Sequence, residues 1–162
     1  MTVKANVIRS AASQSRPAAT FPSAARAPNS VETLLVVDDD PMVRDMEVQI
    51  LRLEGYTVLE AEGATEALRV AGEVVAIHLL ITDFMMPEVD GLELTRLFRA
   101  THPKTPVLMV SGSFPSFRDQ SEDLGRFEFL AKPFGFAELL LKVRSLLEVA
   151  TPLPRRRSPF HD

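Results

Sequence analysis

Two short apolar runs in this chain end on carboxylates. Leu34-Leu35-Val36-Val37 passes directly into Asp38-Asp39-Asp40, and the run from Ile77 to Ile81 passes into Thr82-Asp83. Such short, unbroken apolar runs fit strands covered on both faces. If both are strands, their acidic ends lie side by side at one edge of a sheet. Carboxylates gathered there repel one another unless a cation holds them. The pattern points to a divalent-metal site rather than a solvated run of charge.

The rest of the chain alternates in the same way. Residues 33–37 read as a strand, and Pro41 follows the acidic cluster at a position suited to the first turn of a helix. Met42, Val43, Met46, Ile50, Leu51 and Leu53 then recur at helical spacing up to Gly55, a natural terminator. Residues 56–60 predict a second strand and 65–71 a helix flanked by Gly63 and Gly72. The third strand spans 77–82, a helix covers 91–100, and a fourth strand covers 106–110 before Ser111-Gly112. A short polar helix is expected over 115–124 and a fifth strand over 127–130. After Lys132-Pro133, residues 136–149 form an amphipathic helix with Leu139, Leu140, Val143, Leu146 and Leu147 on one face. Five strands alternating with five helices imply βαβ units and a parallel sheet covered on both faces.

Composition limits the alternatives. The chain has 162 residues, 46% hydrophobic and 25% charged, enough for one globular domain with tails. A net charge of −4 gives no reason to expect a nucleic-acid ligand. The absence of cysteine excludes disulfides, thiolate metal sites and cysteine nucleophiles. No apolar stretch approaches the roughly 18–20 residues that span a bilayer, and the N-terminus lacks a secretory h-region, so no membrane association and a cytoplasmic protein are expected. Residues 1–30, rich in Ala, Ser, Pro and Arg and free of acids, predict a disordered tail; the same composition also resembles an organelle transit peptide. Residues 151–162 predict a second, basic and Pro-containing tail. The globular domain is expected over 31–150, with no DNA-binding domain.

In open α/β sheets, ligands bind beyond the C-terminal strand ends. That rule brings Asp38 and Asp39, Asp83, Ser111 and Lys132 to one edge. Each has an ordinary reading alone: a helix cap for an Asp after a strand, a turn for Ser111-Gly112, a surface charge for Lys132. Five suitable groups at the correct strand ends are harder to dismiss together. His78 and His102 have no partner at metal spacing. Met85 and Met86 read as packing residues of the loop after Asp83. Asp40 reads as exposed or as a helix cap, and Asp90-Gly91 as the start of a helix.

With these segments in view, the chain resembles the receiver domain of two-component response regulators, the family of the bacterial chemotaxis regulator. The matching segments are Leu35-Val36-Val37-Asp38-Asp39-Asp40, Ile81-Thr82-Asp83-Phe84-Met85-Met86-Pro87 with Asp90-Gly91, Val110-Ser111-Gly112, and Phe129-Leu130-Ala131-Lys132-Pro133-Phe134. They cover residues 33–149. The resemblance implies a flavodoxin-like, doubly wound (βα)5 three-layer fold with a parallel five-stranded sheet of order 2-1-3-4-5. It implies that Asp83 accepts a phosphoryl group and that Mg2+ is held by Asp38, Asp39, Asp83 and the backbone carbonyl of Met85. Ser111 and Lys132 would bind the phosphoryl group, with Phe129 as the switch aromatic. A plain core role for Phe129 stays open. A cis peptide at Lys132-Pro133 is also implied.

The implied protein is a single-domain response regulator, not an enzyme acting on an external substrate. Its partners would be a sensor histidine kinase or histidine phosphotransfer protein and a downstream protein reached by altered protein–protein contacts. A phosphatase with an Asp nucleophile would place its nucleophile similarly but would want a second Asp where Met85 stands. A receiver-like interaction module that is never phosphorylated would need none of the acidic, hydroxyl and lysine set.

Overall fold

The computed structural model describes residues 32–112 and 127–150. The helix expected over 115–124 and both expected tails lie outside these residues. The chain runs β1 (Thr33–Val37), α1 (Pro41–Leu53), β2 (Thr57–Ala61), α2 (Ala64–Glu73), β3 (Leu79–Asp83), α3 (Gly91–Arg99), β4 (Val107–Ser111), β5 (Phe127–Ala131) and α4 (Phe136–Ala150). The strands form one sheet of order β2-β1-β3-β4-β5, and every pairing is parallel. This is the flavodoxin-like order, with four helices among the described residues.

The apolar runs are strands because successive side chains must be buried on opposite faces. On one side, Leu34, Val36, Leu79, Ile81, Leu108 and Val110 pack with Val48 and Leu51 of α1 and Leu139, Val143, Leu146 and Leu147 of α4. On the other, Leu35, Val37, Leu80 and Val107 pack with Ala64, Ala67 and Ala71 of α2 and Leu94 and Phe98 of α3. Each large apolar side chain so buried stabilises the fold by about 1.5–3 kcal/mol. Exposed ion pairs such as Arg69–Glu73 contribute at most about 1 kcal/mol. The core decides the fold, and the charges do not.

Local chemistry fixes the helix ends that flank the site. Asp40 accepts from the Met42 amide at 2.8 Å and the Val43 amide at 3.4 Å, capping α1 with Pro41 in its first turn. Gly55, at φ +94°, takes the left-handed conformation that ends α1. Asp90 caps α3 by accepting from the Glu93 amide at 2.8 Å.

Three expectations need correction. The buried stripe of α1 is Glu47, Val48 and Leu51, while Met42 and Leu53 are 81% and 87% exposed. The helix meets the sheet through its second and third turns, so the outermost apolar residues face away from it. Strand β3 starts at Leu79 rather than residue 77, because the His78 imidazole already serves a junction: its Nδ1 accepts from the Thr33 amide at 3.0 Å. Finally, Met85 is 64% exposed, whereas Met86 packs in the core beside α2 and α3.

Gly91 is required by close approach. A Cβ at this position would lie 2.3 Å from the backbone oxygen of Asp83 and 3.0 Å from the Phe84 Cα. Thus α3 starts in van der Waals contact with the peptide that carries Asp83. Gly91→Ala is expected to destabilise the domain by about 1–3 kcal/mol, because backbone rather than a flexible side chain must move. Urea denaturation checks this, and an unchanged midpoint would show that the contact relaxes freely.

Candidate functional site

Adjacent parallel strands carry the acidic residues to one place. Strand β1 pairs with β3 in the register Val37↔Thr82, so the residues that follow, Asp38 and Asp83, leave the sheet side by side. Asp38, Asp39 and Asp83 offer carboxylate oxygens that all lie within 4.8 Å of one another. Asp38 is 1% exposed and Asp83 9%, while Asp39 is exposed. A hard divalent cation prefers such a set, a few carboxylates with room for water. The donor set fits Mg2+.

Lys132 offsets the repulsion within this group. Its Nζ lies 2.9 Å from Asp38 Oδ2 and 3.2 Å from Asp83 Oδ2. Burial is the largest single influence on this ammonium and pulls its pKa down. The hydrogen bonds and charges of Asp38 and Asp83 together outweigh burial, and the pKa is raised. Lys132 therefore stays charged throughout the physiological range. It is aimed inward by the strand pairing of β4 with β5: its own amide donates to the Ser111 carbonyl at 2.8 Å, and a cis Lys132-Pro133 peptide follows.

The remaining hydrogen bonds hold the acids in position. Asp38 Oδ1 accepts from the Asp40 amide at 2.8 Å, and the Asp38 carbonyl accepts from Arg44 Nη1 at 2.6 Å. Asp83 Oδ1 accepts from the Met85 amide at 3.3 Å. The loop beyond is tightly wound: the Val89 amide donates to the Pro87 carbonyl at 2.7 Å, with Glu88 between them at φ 64°. Such backbone is costly for a non-glycine residue and persists where its surroundings impose it.

The other expected positions are distributed as follows. Ser111 ends β4, is 4% exposed and pairs with Ala131, the residue before Lys132. Met85 stands two residues beyond Asp83 with its side chain outward, which suits a residue expected to offer only its carbonyl. Phe129 is half-buried on β5, beside Met109, Phe84 and Leu92, with the Phe127 ring edge-on at 5.3 Å. His78 and His102 are both structural, the latter stacked on Phe98 at 4.5 Å.

One residue near the site was not legible as part of it. Glu47 is 1% exposed on the sheet-facing side of α1, and its Oε1 has no hydrogen-bond partner among the described residues. Burial, then the charge of Asp38, pushes its pKa from the ordinary 4.5 up to about 8; Lys132 opposes this and Asp83 reinforces it. Its position, four residues before Leu51, puts it on the stripe the sheet covers, but an acid there carries no apolar signal.

Comparison with known proteins agrees with this architecture. Residues 34–144 match the response regulator receiver domain family. The chain is 37% identical over 118 residues to the sensor kinase CckA of Brucella abortus, covering 72% of this chain and 12% of that one. It is 40% identical over 118 residues to the response regulator MprA of Mycobacterium ulcerans, covering 70% of this chain and 49% of the relative. Among solved structures, a CheY-like receiver domain protein of Methanospirillum hungatei superposes with a TM-score of 0.70 at 30% identity, over 75% of this chain and 97% of that one. The chain thus spans about half or less of these curated relatives. It belongs to the response regulator receiver domain family, whose members are signalling modules that accept phosphoryl groups in two-component systems. No helix among the described residues is long and apolar enough to cross a membrane.

Glu47 generates a pH prediction. Between pH 4.5 and about 8 the unfolded chain holds Glu47 ionised while the folded chain keeps it protonated. The folded state binds more protons across this window, so the cost of burying this group, smallest at low pH, grows and stability falls as pH rises, by up to about 1.4 kcal/mol per pH unit. Glu47→Gln is expected to remove that slope in metal-free denaturation curves. A constant stability difference between the two proteins across the window would refute the buried, protonated assignment.

Proposed function

We propose that this chain is a single-domain response regulator that accepts a phosphoryl group on Asp83 from a histidine kinase or histidine phosphotransfer protein, with Mg2+ held by Asp38, Asp39, Asp83 and the Met85 carbonyl. The observation that carries the reading is the bridging of Asp38 and Asp83 by Lys132 at the C-terminal edge of a receiver-family sheet. The receiver occupies residues 31–150 in this reading.

In the transfer, an Asp83 carboxylate oxygen forms a bond to phosphorus. The bond from phosphorus to the donor's imidazole nitrogen breaks, with its electron pair left on that nitrogen. Bound Mg2+ supplies neutralisation of the charge on the carboxylate and phosphoryl oxygens. Lys132, already 3.2 Å from Asp83 Oδ2, holds a positive point charge against the incoming oxygens. The Ser111 hydroxyl donates a hydrogen bond to a phosphoryl oxygen. Asp38, tied by the Asp40 amide and Arg44, keeps its place as charge accumulates.

The product carries more negative charge than the carboxylate it replaces, and Ser111 moves towards it. Phe129 then turns inward into the space behind β4, changing the surface that β5 and α4 present to a downstream protein. Its present half-buried position leaves that movement available. A shift from 1:99 to 99:1 in favour of the active form needs a differential of about 5.5 kcal/mol between the states.

Incubation with a small phosphodonor such as acetyl phosphate and Mg2+ is expected to add one phosphoryl group, read by intact-protein mass spectrometry. Asp83→Asn is expected to abolish the adduct, and Lys132→Ala to reduce its yield at least tenfold. An adduct retained in Asp83→Asn would move the acceptor elsewhere. No adduct on the wild-type chain, from either a small donor or a histidine phosphotransfer protein, would favour an unphosphorylated interaction module.

A further inference from the structure

A fourth acid, buried on the sheet-facing side of α1, feels the charges of the carboxylate cluster. Glu47 lies in the second turn of α1, in the layer where Val48 and Leu51 meet the sheet, and the residue is 1% exposed. Its Oε1 is buried without a hydrogen-bond partner among the described residues. A carboxyl in that position cannot hold a charge at modest cost; it takes up a proton instead. The charged groups acting on it come from three strand ends: Asp38 after β1, Asp83 at the end of β3, and Lys132 after β5. The α4 residues of the same layer, Leu139, Val143 and Leu146, are apolar. On its own helix, the nearest cation one turn back is Arg44, whose guanidinium is held by the Asp38 carbonyl.

An isolated polar group of this kind destabilises the core, and an apolar residue of similar volume would fill the position better. What distinguishes the position is its access to the electrostatics of the acidic edge. Two positive charges added among Asp38, Asp39 and Asp83 would act on Glu47 in the direction opposite to those aspartates, favouring its ionised form. Proton and cation are then reciprocal ligands of one site.

We propose that Glu47 is a positioning residue of the cation site, a buried acid that carries a proton while the acidic edge is cation-free and releases it when a divalent ion is taken up. In that step the Glu47 O–H bond breaks, its electron pair stays on the carboxylate, and the proton passes to the buffer. The carboxylate that remains gives the Lys132 ammonium a second anion to face when the cation and phosphoryl group occupy Asp38 and Asp83. Cation affinity therefore rises with pH over a range where ordinary carboxylates are already ionised. The inference rests on reading the acidic edge as a divalent-cation site.

Calorimetric titration of the full chain with MgCl2 near pH 7, in buffers of different ionisation enthalpy, counts the protons released per ion bound. The wild-type chain is expected to release about one proton per Mg2+. Glu47→Gln, which keeps shape without an ionisable group, and Glu47→Leu, which removes the buried polar group, are each expected to release close to none. Mg2+ affinity in both variants should also lose its dependence on pH across this range. Mg2+ binding without proton release by the wild-type chain overturns the role of Glu47 alone. Proton release that persists in either folded variant does the same. Failure of the wild-type chain to bind Mg2+ at all overturns the cation-site reading together with this inference.

Discussion

The ammonium of Lys132, set between Asp38 and Asp83, is the contact on which the arrangement depends. Parallel pairing of β1 with β3 forces two carboxylates out of the sheet at the same edge. Nothing in hydrophobic packing rewards that juxtaposition, and mutual repulsion opposes it. The lysine makes it tolerable, and it arrives from a strand two positions away because β4 lies between β3 and β5. The strand order and the charge balance of the site are thus one constraint.

The same contact explains how the site can work without large rearrangement. Asp38 is held on three sides, by Lys132, by the Asp40 amide and through its carbonyl by Arg44. Asp83 is held by the Met85 amide on one oxygen and Lys132 on the other. Its backbone is pinned from behind by Gly91, which brings α3 to within the contact distance of a bare backbone. A rigid frame of this kind holds the Asp83 carboxylate in one defined direction, as the proposed transfer requires.

Much of this was legible in the sequence because strands buried on both faces leave an unbroken apolar run, and residues at the ends of such runs in a parallel sheet share one edge. That rule alone places Asp38, Asp39, Asp83, Ser111 and Lys132 together. What escaped was the rotation of α1. The methionines and leucines of that helix suggested a stripe through Met42 and Leu53, and both are exposed. Burial of Glu47 instead of an apolar residue violates the binary pattern, so pattern reading passed over it. The exposure of Met85 beside buried Met86 was equally invisible, since loop direction is set by Gly91 and the turn at Glu88 rather than by hydropathy.

The most direct test of the central claim is the location of a divalent ion in crystals grown with Mn2+, by its anomalous scattering. The account predicts a peak among Asp38, Asp39 and Asp83, with the Met85 carbonyl as a fourth ligand and the Lys132 ammonium shifted from Asp38. Density for the ion on another face, or Lys132 still bridging both aspartates with no ion between them at saturating Mn2+, would contradict it.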